Sequence, residues 1–156
     1  MTDLLALMRP RQWLKNAFVL APLFFAGVYT EPHLWASTAI AFIVFCLLAS
    51  SVYVFNDIAD VEKDKAHPKK KNRPIASGRV SQNQAGLLCV LLLGLCAWLL
   101  MLLPQACMVI AGIYVLQNIA YSLRLKRIVV LDVTLIAVGF VLRVLMGAAA
   151  IEVEPS

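Results

Sequence analysis

The chain has 156 residues, 62% of them hydrophobic, and a formal net charge of +5. Soluble domains average about 45–50% apolar residues, so this composition, with a mean hydropathy of +0.82, excludes an ordinary water-soluble enzyme and predicts an all-α, polytopic membrane helix bundle. The basic excess does not point to nucleic acid, because the Lys and Arg residues sit in short stretches beside apolar runs rather than on one extended face.

Taken in chain order, residues 1–14 are amphipathic, with Leu4, Leu5, Leu7, Met8 and Trp13 beside Arg9 and Arg11, and are expected to lie along the membrane interface. A first span is expected at about 15–30, kinked at Pro22. A second follows at about 34–56, which carries no charge, and residues 57–83 then form one long loop. Residues 80–123 are 44 consecutive positions without a charge. One crossing needs about 20 residues, so this stretch holds two spans, 84–103 and 105–122, turning at Pro104-Gln105. A fifth span is expected at about 129–151. The first apolar segment lacks a small-residue cleavage site and is followed by further spans, so no cleavable signal peptide is expected. No Gly/Ser linker interrupts the chain, and residues 1–156 read as a single domain.

The charges orient this bundle. Of 14 Lys and Arg residues, three precede the first span, seven lie in 63–79, three in 124–127, and one, Arg143, falls inside a span. The opposite-side connections 30–33 and 104–105 carry none. By the positive-inside rule, the N-terminus, the loop after the second span and the Arg124–Arg127 loop face the cytoplasm, in a multi-pass protein of the cell membrane. Cys46, Cys89, Cys96 and Cys107 all lie in apolar runs, with no Cys-x-x-Cys spacing or adjacent His, and read as packing residues.

The densest chemistry lies in Asn56-Asp57-Ile58-Ala59-Asp60-Val61-Glu62-Lys63-Asp64. Asp57, Asp60 and Asp64 stand at i, i+3 and i+7, within an arc of roughly 60° on a helix turning ~100° per residue. Three carboxylates on one face repel each other unless a cation lies between them. Hard oxygen donors select a hard divalent ion, and Mg2+ shared with a phosphate-bearing substrate fits, with Asn56 as a neutral oxygen ligand. Acids at a helix end can simply face water, but these share one face and sit on a side otherwise dominated by positive charge. Glu62 falls off that face and is expected to pair with neighbouring lysines.

In Asn72-Arg73-Pro74-Ile75-Ala76-Ser77-Gly78, Pro74 stiffens the loop, and the Ser77-Gly78 turn is suited to bring backbone N–H groups and Arg73 towards an anion. Lys69, Lys70 and Lys71 read as a solvated run facing lipid headgroups. At Tyr121-Ser122-Leu123-Arg124-Leu125-Lys126-Arg127, Arg124 and Arg127 are expected to snorkel to the interface. Within the membrane, Asp132 and Arg143 are costly and therefore functional candidates. Lying eleven residues apart on one helix, they are separated by ~16 Å along its axis and cannot pair, so Arg143 must find an acidic or carbonyl partner elsewhere.

These residues together resemble the UbiA-type intramembrane prenyltransferases. Asn-Asp-x-x-Asp-x-x-x-Asp at the end of the second span is similar to that family's first aspartate-rich motif, and Tyr121-Ser122 followed by Lys126 to its Tyr-Ser-x-x-Leu-Lys stretch. Arg9-Pro10-Arg11-Gln12-Trp13-Leu14-Lys15-Asn16, His67-Pro68 and Arg73–Gly78 resemble the branch that transfers phosphoribose. The family has nine membrane helices around a central cavity and a second aspartate-rich motif, which Asp132 alone does not match. The resemblance thus implies the N-terminal part of such a bundle, and the isolated chain is expected not to turn over.

The resemblance further implies Mg2+ held by Asn56, Asp57, Asp60 and Asp64 on the pyrophosphate of phosphoribosyl pyrophosphate, with a polyprenyl phosphate as acceptor in cell-wall arabinan precursor synthesis. Asp57, Asp60, Tyr121 and Lys126 are the implied catalytic residues. Lys15, Asn16, Arg73, Ser77 and Arg143 are the implied substrate contacts. Two other readings remain open: prenyl transfer from a polyprenyl diphosphate to an aromatic or other polar acceptor, and a non-catalytic membrane fragment or half of an assembly.

Overall fold

A 28-residue helix that starts on a proline and carries no Asp, Glu, Lys or Arg side chain for its first 25 residues, until Asp57, organises this protein. In the computed structural model, which describes residues 2–123 and 129–152, the elements are α1 (Thr2–Met8), a 3-10 helix η1 (Pro10–Leu20), α2 (Ala21–Phe25), α3 (Pro32–Ala59), α4 (Val61–Ala66), a short 3-10 turn η2 (Lys70–Asn72), α5 (Gln82–Leu100), α6 (Gln105–Leu123) and α7 (Val129–Ala150). No strand occurs among the described residues.

Pro32 begins α3 at a position whose N–H needs no helical partner. At ~1.5 Å per residue α3 is ~42 Å long, more than the ~30 Å hydrocarbon core, so its Asp57 end projects into the polar headgroup region. Its apolar window is 67% buried inside the protein, against 22% for α5 and 39% for α7, which makes α3 the central helix and leaves α5 mainly facing lipid. Around it pack α1, η1, α5, α6 and α7. Phe45, Val44 and Val54 of α3 meet Leu7, Leu92, Tyr114, Leu142 and Met146 in one buried cluster.

The second to fifth expected spans correspond to α3, α5, α6 and α7, with shifts of a few residues at their ends. Ser81 starts α5 earlier than the expected 84, because its hydroxyl accepts from the Gln84 N–H while Gln84 Oε1 accepts from the Ser81 N–H. Residues 101–104 separate α5 from α6, so the break expected at Pro104-Gln105 includes Pro104 but begins three residues earlier, and Gln105 already starts α6.

The first expected span is corrected. Residues 15–30 do not form one kinked α-helix: eleven residues from Pro10 to Leu20 are wound as a 3-10 helix, five more as α2, and Gly27 at φ 71° turns the chain towards α3. A 3-10 run this long is uncommon, and its Trp13 and Asn16 side chains fasten it to α3 and α7. Gly147 of α7 makes room for it, since a Cβ there would fall inside van der Waals distance of the Val19 carbonyl oxygen and against the Pro22 ring. Among the described residues three helices are long and apolar enough to cross a membrane, Pro32–Ala59, Gln82–Leu100 and Val133–Ala150, rather than the expected five. The 19-residue α6 matches α5 in length but carries Gln105, Gln117 and Asn118, and two of these amides turn out to line a cleft.

Candidate functional site

Two polar constellations lie on different sides of the Asn56–Asp57 end of α3. Consecutive helical residues point ~100° apart, so the two side chains serve different surroundings.

On the Asp57 side, the helix breaks at Asp60 (φ −99°, ψ 10°) and restarts as α4, which folds Asp64 back beside Asp57. Both carboxylates are only 3% exposed. A guanidinium stands between them: Arg73 Nη1 donates to Asp57 Oδ1 at 3.0 Å and to Asp64 Oδ2 at 2.6 Å. Arg9 Nη2 adds a 2.6 Å bond to the same Asp57 oxygen, and its guanidinium carbon lies 4.7 Å from the Tyr53 ring centroid. Two buried negative charges are therefore met by two arginines from distant parts of the chain, which is the condition under which buried carboxylates are tolerated.

Local structure delivers each arginine. Arg9 adopts the left-handed conformation (φ 51°, ψ 59°) immediately before Pro10, a state that costs a non-glycine residue about 1–2 kcal/mol and that its ion pair and ring contact offset. Arg73 leads a tight turn in which its carbonyl accepts from the Ser77 N–H at 2.9 Å, Gly78 takes φ 77°, and Ile75 and Val80 anchor the loop in the core. Arg79 ties this loop to α1 through a 3.0 Å bond from Nε to Asp3 Oδ1.

The expected three-carboxylate face is thus realised in two members. Asp60 lies 3.4 Å from Lys63 Nζ, and Glu62 pairs with Lys65 at 2.7 Å, as the off-face position implied. Among the described residues no group of three or more His, Cys, Asp and Glu side chains is gathered closely enough to hold a metal ion by itself. The donor chemistry nevertheless suits a hard cation: two buried carboxylates already assembled around a positive charge, and, on the residue before Asp57, Asn56 Oδ1, a buried oxygen with no hydrogen-bond partner among the described residues.

On the Asn56 side, α3, α6, α7 and η1 enclose a cleft of about 230 Å3, open to the outside. Lys15, Tyr53, Asn56, Gln117, Asn118, Tyr121 and Arg143 are among its polar groups, and no carboxylate is among its described lining residues. Arg143 is 8% exposed. Its Nε donates to Asn16 Oδ1 at 2.8 Å and its Nη1 to the Gly139 carbonyl one turn back. The rings of Phe45, Phe140 and Tyr114 surround the guanidinium at 5.3, 5.4 and 5.6 Å. Its expected carbonyl partner is found, but no acidic one is among the described residues. Asn16, itself fully buried, also donates from Nδ2 to Cys46 Sγ at 3.3 Å. Nearby, Trp13 Nε1 donates to Ser50 Oγ at 3.0 Å, and Ser50 Oγ to the Met8 carbonyl at 2.9 Å, fastening η1 along α3.

Of the residues expected at the site, Asp57, Asp64 and Arg73 meet in the cluster, Lys15, Asn56, Tyr121 and Arg143 line the cleft, and Asn16 braces Arg143 from behind. Ser77 is exposed, its hydroxyl donating to the Pro74 carbonyl at 3.3 Å, so it shapes the turn instead of facing the cleft. Lys126 and the side chain of Asp132 lie outside the described residues. Arg9, Tyr53 and Gln117 were not anticipated as site residues. Gln117, a neutral amide inside an apolar span, carried a usable signal, since such groups are costly unless they serve a cavity or a partner.

The sequence profile of the UbiA prenyltransferase family matches residues 16–156. The chain is 40% identical over 163 aligned positions to decaprenyl-phosphate phosphoribosyltransferase of Mycolicibacterium smegmatis, covering 99% of this chain and 50% of the relative. It is 39% identical over 145 positions to the y4nM protein of Sinorhizobium fredii, covering 93% of this chain and 28% of the relative. A UbiA homologue from Archaeoglobus fulgidus, solved bound to DMAPP and Mg2+, shares the fold with a TM-score of 0.83 at 22% identity, covering 99% of this chain and 56% of that one. The chain therefore spans half, or less, of the length of these curated relatives.

Proposed function

The chain belongs to the UbiA prenyltransferase family, and on that premise we propose that its protein is a membrane transferase moving phosphoribose from phosphoribosyl pyrophosphate to a polyprenyl phosphate, in the cell membrane, with the Asp57 end of α3 at the cytoplasmic face. The observation that carries this reading is the juxtaposition of the buried Asp57–Arg73–Asp64 cluster with a cationic, hydroxyl- and amide-lined cleft at one helix end. The resemblance to the mycobacterial phosphoribosyltransferase agrees with it.

In this reading Asp57, Asp60, Asp64 and Asn56 hold Mg2+, which when bound neutralises charge on the departing pyrophosphate. The chain's own groups do the remainder. Arg73 and Arg9, engaged here by the carboxylates, are the cations that would be available to phosphate oxygens were those carboxylates to hold a divalent ion. Tyr121 adds a hydrogen-bond donor from the end of α6, and Lys126 is the further donor that the family resemblance implies. An acceptor phosphate is already anionic, so the chemistry needs no general base, and the described residues of the cleft supply no carboxylate or histidine to act as one. A cellular sugar phosphate as donor requires the site to open to the cytosol, in keeping with the basic loops that flank it.

Prenyl transfer is the competing chemistry, and donor choice separates the two. Membranes carrying the protein are incubated with labelled phosphoribosyl pyrophosphate and polyprenyl phosphate, and in parallel with labelled prenyl diphosphate and an aromatic acceptor. The expected result is a Mg2+-dependent, acid-labile lipid-linked label in the first arm only. Label transfer in the second arm alone overturns the proposal.

A further inference from the structure

Arg73 Nη1 spans both buried carboxylates, so with Arg73 in place the Arg9 guanidinium is a second cation on an Asp57 oxygen that is already bonded. The two arginines are not held equally well. Arg73 makes two ion pairs from a turn anchored by Ile75 and Val80, both buried in the core. Arg9 makes one, from a backbone in the left-handed region (φ 51°, ψ 59°), so strain in its own backbone opposes the contact.

Arg9 is also a joint. Helix α1 ends at Met8 and η1 begins at Pro10, so the backbone angles of Arg9 set the angle between the two elements. Both sides of the joint are fixed to α3. Leu7 is fully buried, the Met8 carbonyl accepts from Ser50, and the Trp13 indole donates to the same Ser50. The joint itself is closed by two backbone bonds, from the Arg9 N–H to the Ala6 carbonyl at 3.3 Å and from the Gln12 N–H to the Arg9 carbonyl at 2.8 Å. The guanidinium lies over the ring of Tyr53, which is a wall of the cleft.

We propose that Arg9 is a built-in competitor for the cation position at Asp57, an autoinhibitory contact that a divalent ion displaces, and that its displacement relaxes the joint between α1 and η1. The inference rests on reading Asp57 and Asp64 as holders of a divalent ion. Two carboxylates and two guanidiniums balance in charge. A divalent ion adds two positive charges to a site largely shielded from water, so a guanidinium must withdraw. Arg9 withdraws first, because it loses one ion pair and regains an unstrained backbone, whereas Arg73 loses two. The face of Tyr53 keeps the freed guanidinium at the rim of the cleft. The N-terminal segment thereby registers whether the carboxylate site is filled.

The protein in nanodiscs of zwitterionic lipid is titrated with MgCl2 at constant ionic strength. Binding is followed by calorimetry, and amide hydrogen exchange is read at Arg9 and Gln12. Mg2+ is expected to speed exchange at these two amides severalfold in the wild type. Arg9→Gln is expected to exchange fast there without Mg2+, to show no further rise with it, and to bind Mg2+ about tenfold more tightly, since one charge-assisted contact no longer has to be displaced. Arg9→Gly removes the guanidinium but adopts the left-handed joint without strain. It should bind Mg2+ as tightly as Arg9→Gln with slow exchange throughout, and it carries the test should Arg9→Gln fail to fold by circular dichroism. Arg11→Gln, the same charge change at an exposed position two residues on, should alter neither readout. Mg2+ binding that leaves both amides unchanged in the wild type, or Arg9 variants that bind no more tightly than Arg11→Gln, overturns the competitor and leaves the metal reading standing. Absence of Mg2+ binding in the wild type and in both Arg9 variants refutes the metal reading itself, and the competitor with it.

Discussion

Arg143 and Asn16, 127 residues apart in the chain, are joined by a 2.8 Å hydrogen bond in the interior, and this bond ties the 3-10 segment to the last described helix. Asn16 is fully buried, and its two side-chain ends are both used, one by Arg143 and the other by Cys46. A residue chosen from sequence as a substrate contact is therefore a brace for the cation that faces the cleft.

Asn16→Leu is expected to destabilise the protein by about 2 kcal/mol, the value of a buried hydrogen bond to a charged group. Thermal denaturation in detergent checks this. A melting curve indistinguishable from wild type would show that Arg143 does not depend on Asn16.

The close approach of α7 to η1 makes a second, purely steric prediction. Gly147→Ala should cost about 1–3 kcal/mol, because its new methyl meets the Val19 carbonyl, which is backbone and cannot swing aside. Gly94→Ala on the lipid-facing side of α5 has open space around it and should be neutral or stabilising by up to about 1 kcal/mol. Comparable melting temperatures for the two variants would contradict the packing of η1 against Gly147.

Arg73→Met removes the cation between two carboxylates that are almost fully buried, and a loss of about 3 kcal/mol is expected. If those carboxylates also accept a divalent ion, Mg2+ should restore part of that stability in Arg73→Met and add little to the wild type. The measurement is the melting temperature of each protein across a Mg2+ series. Equal responses would separate the carboxylate cluster from metal binding.

Asp57→Asn in the protein's membrane setting is expected to lower Mg2+-dependent phosphoribosyl transfer by at least about a hundredfold while leaving insertion unchanged. Transfer from labelled phosphoribosyl pyrophosphate and alkaline extraction of membranes report the two separately. Wild-type transfer at limiting Mg2+ would remove Asp57 from the metal assignment.

A topology reporter placed after Gly78 should read cytoplasmic, and one at Thr30 or Gln105 external. An external signal at Gly78 would reverse the orientation and with it access to a cytosolic sugar phosphate.

The helices α3, α5, α6 and α7 were legible in the sequence because a charge-free run of fixed length, broken by Pro104 and bounded by basic clusters, is a local property of the chain. Helical spacing put Asp57 and Asp64 on one face, but it is the break at Asp60 and the restart as α4 that bring both carboxylates onto one guanidinium. The form of residues 10–25 was not legible. Hydropathy is blind to whether an apolar stretch winds as α or 3-10, and here the choice depends on Trp13 reaching Ser50, Asn16 reaching Arg143 and Gly147 yielding space to Val19. Nor was the partner of the carboxylates legible, since Arg9 lies 48 residues and Arg73 sixteen residues from Asp57. Several cations stand near those acids in sequence, and all of them attract a carboxylate at long range. Only the fold selects the ones that arrive desolvated at bonding distance, because in the low-dielectric interior that final approach outweighs every screened pairing at the surface.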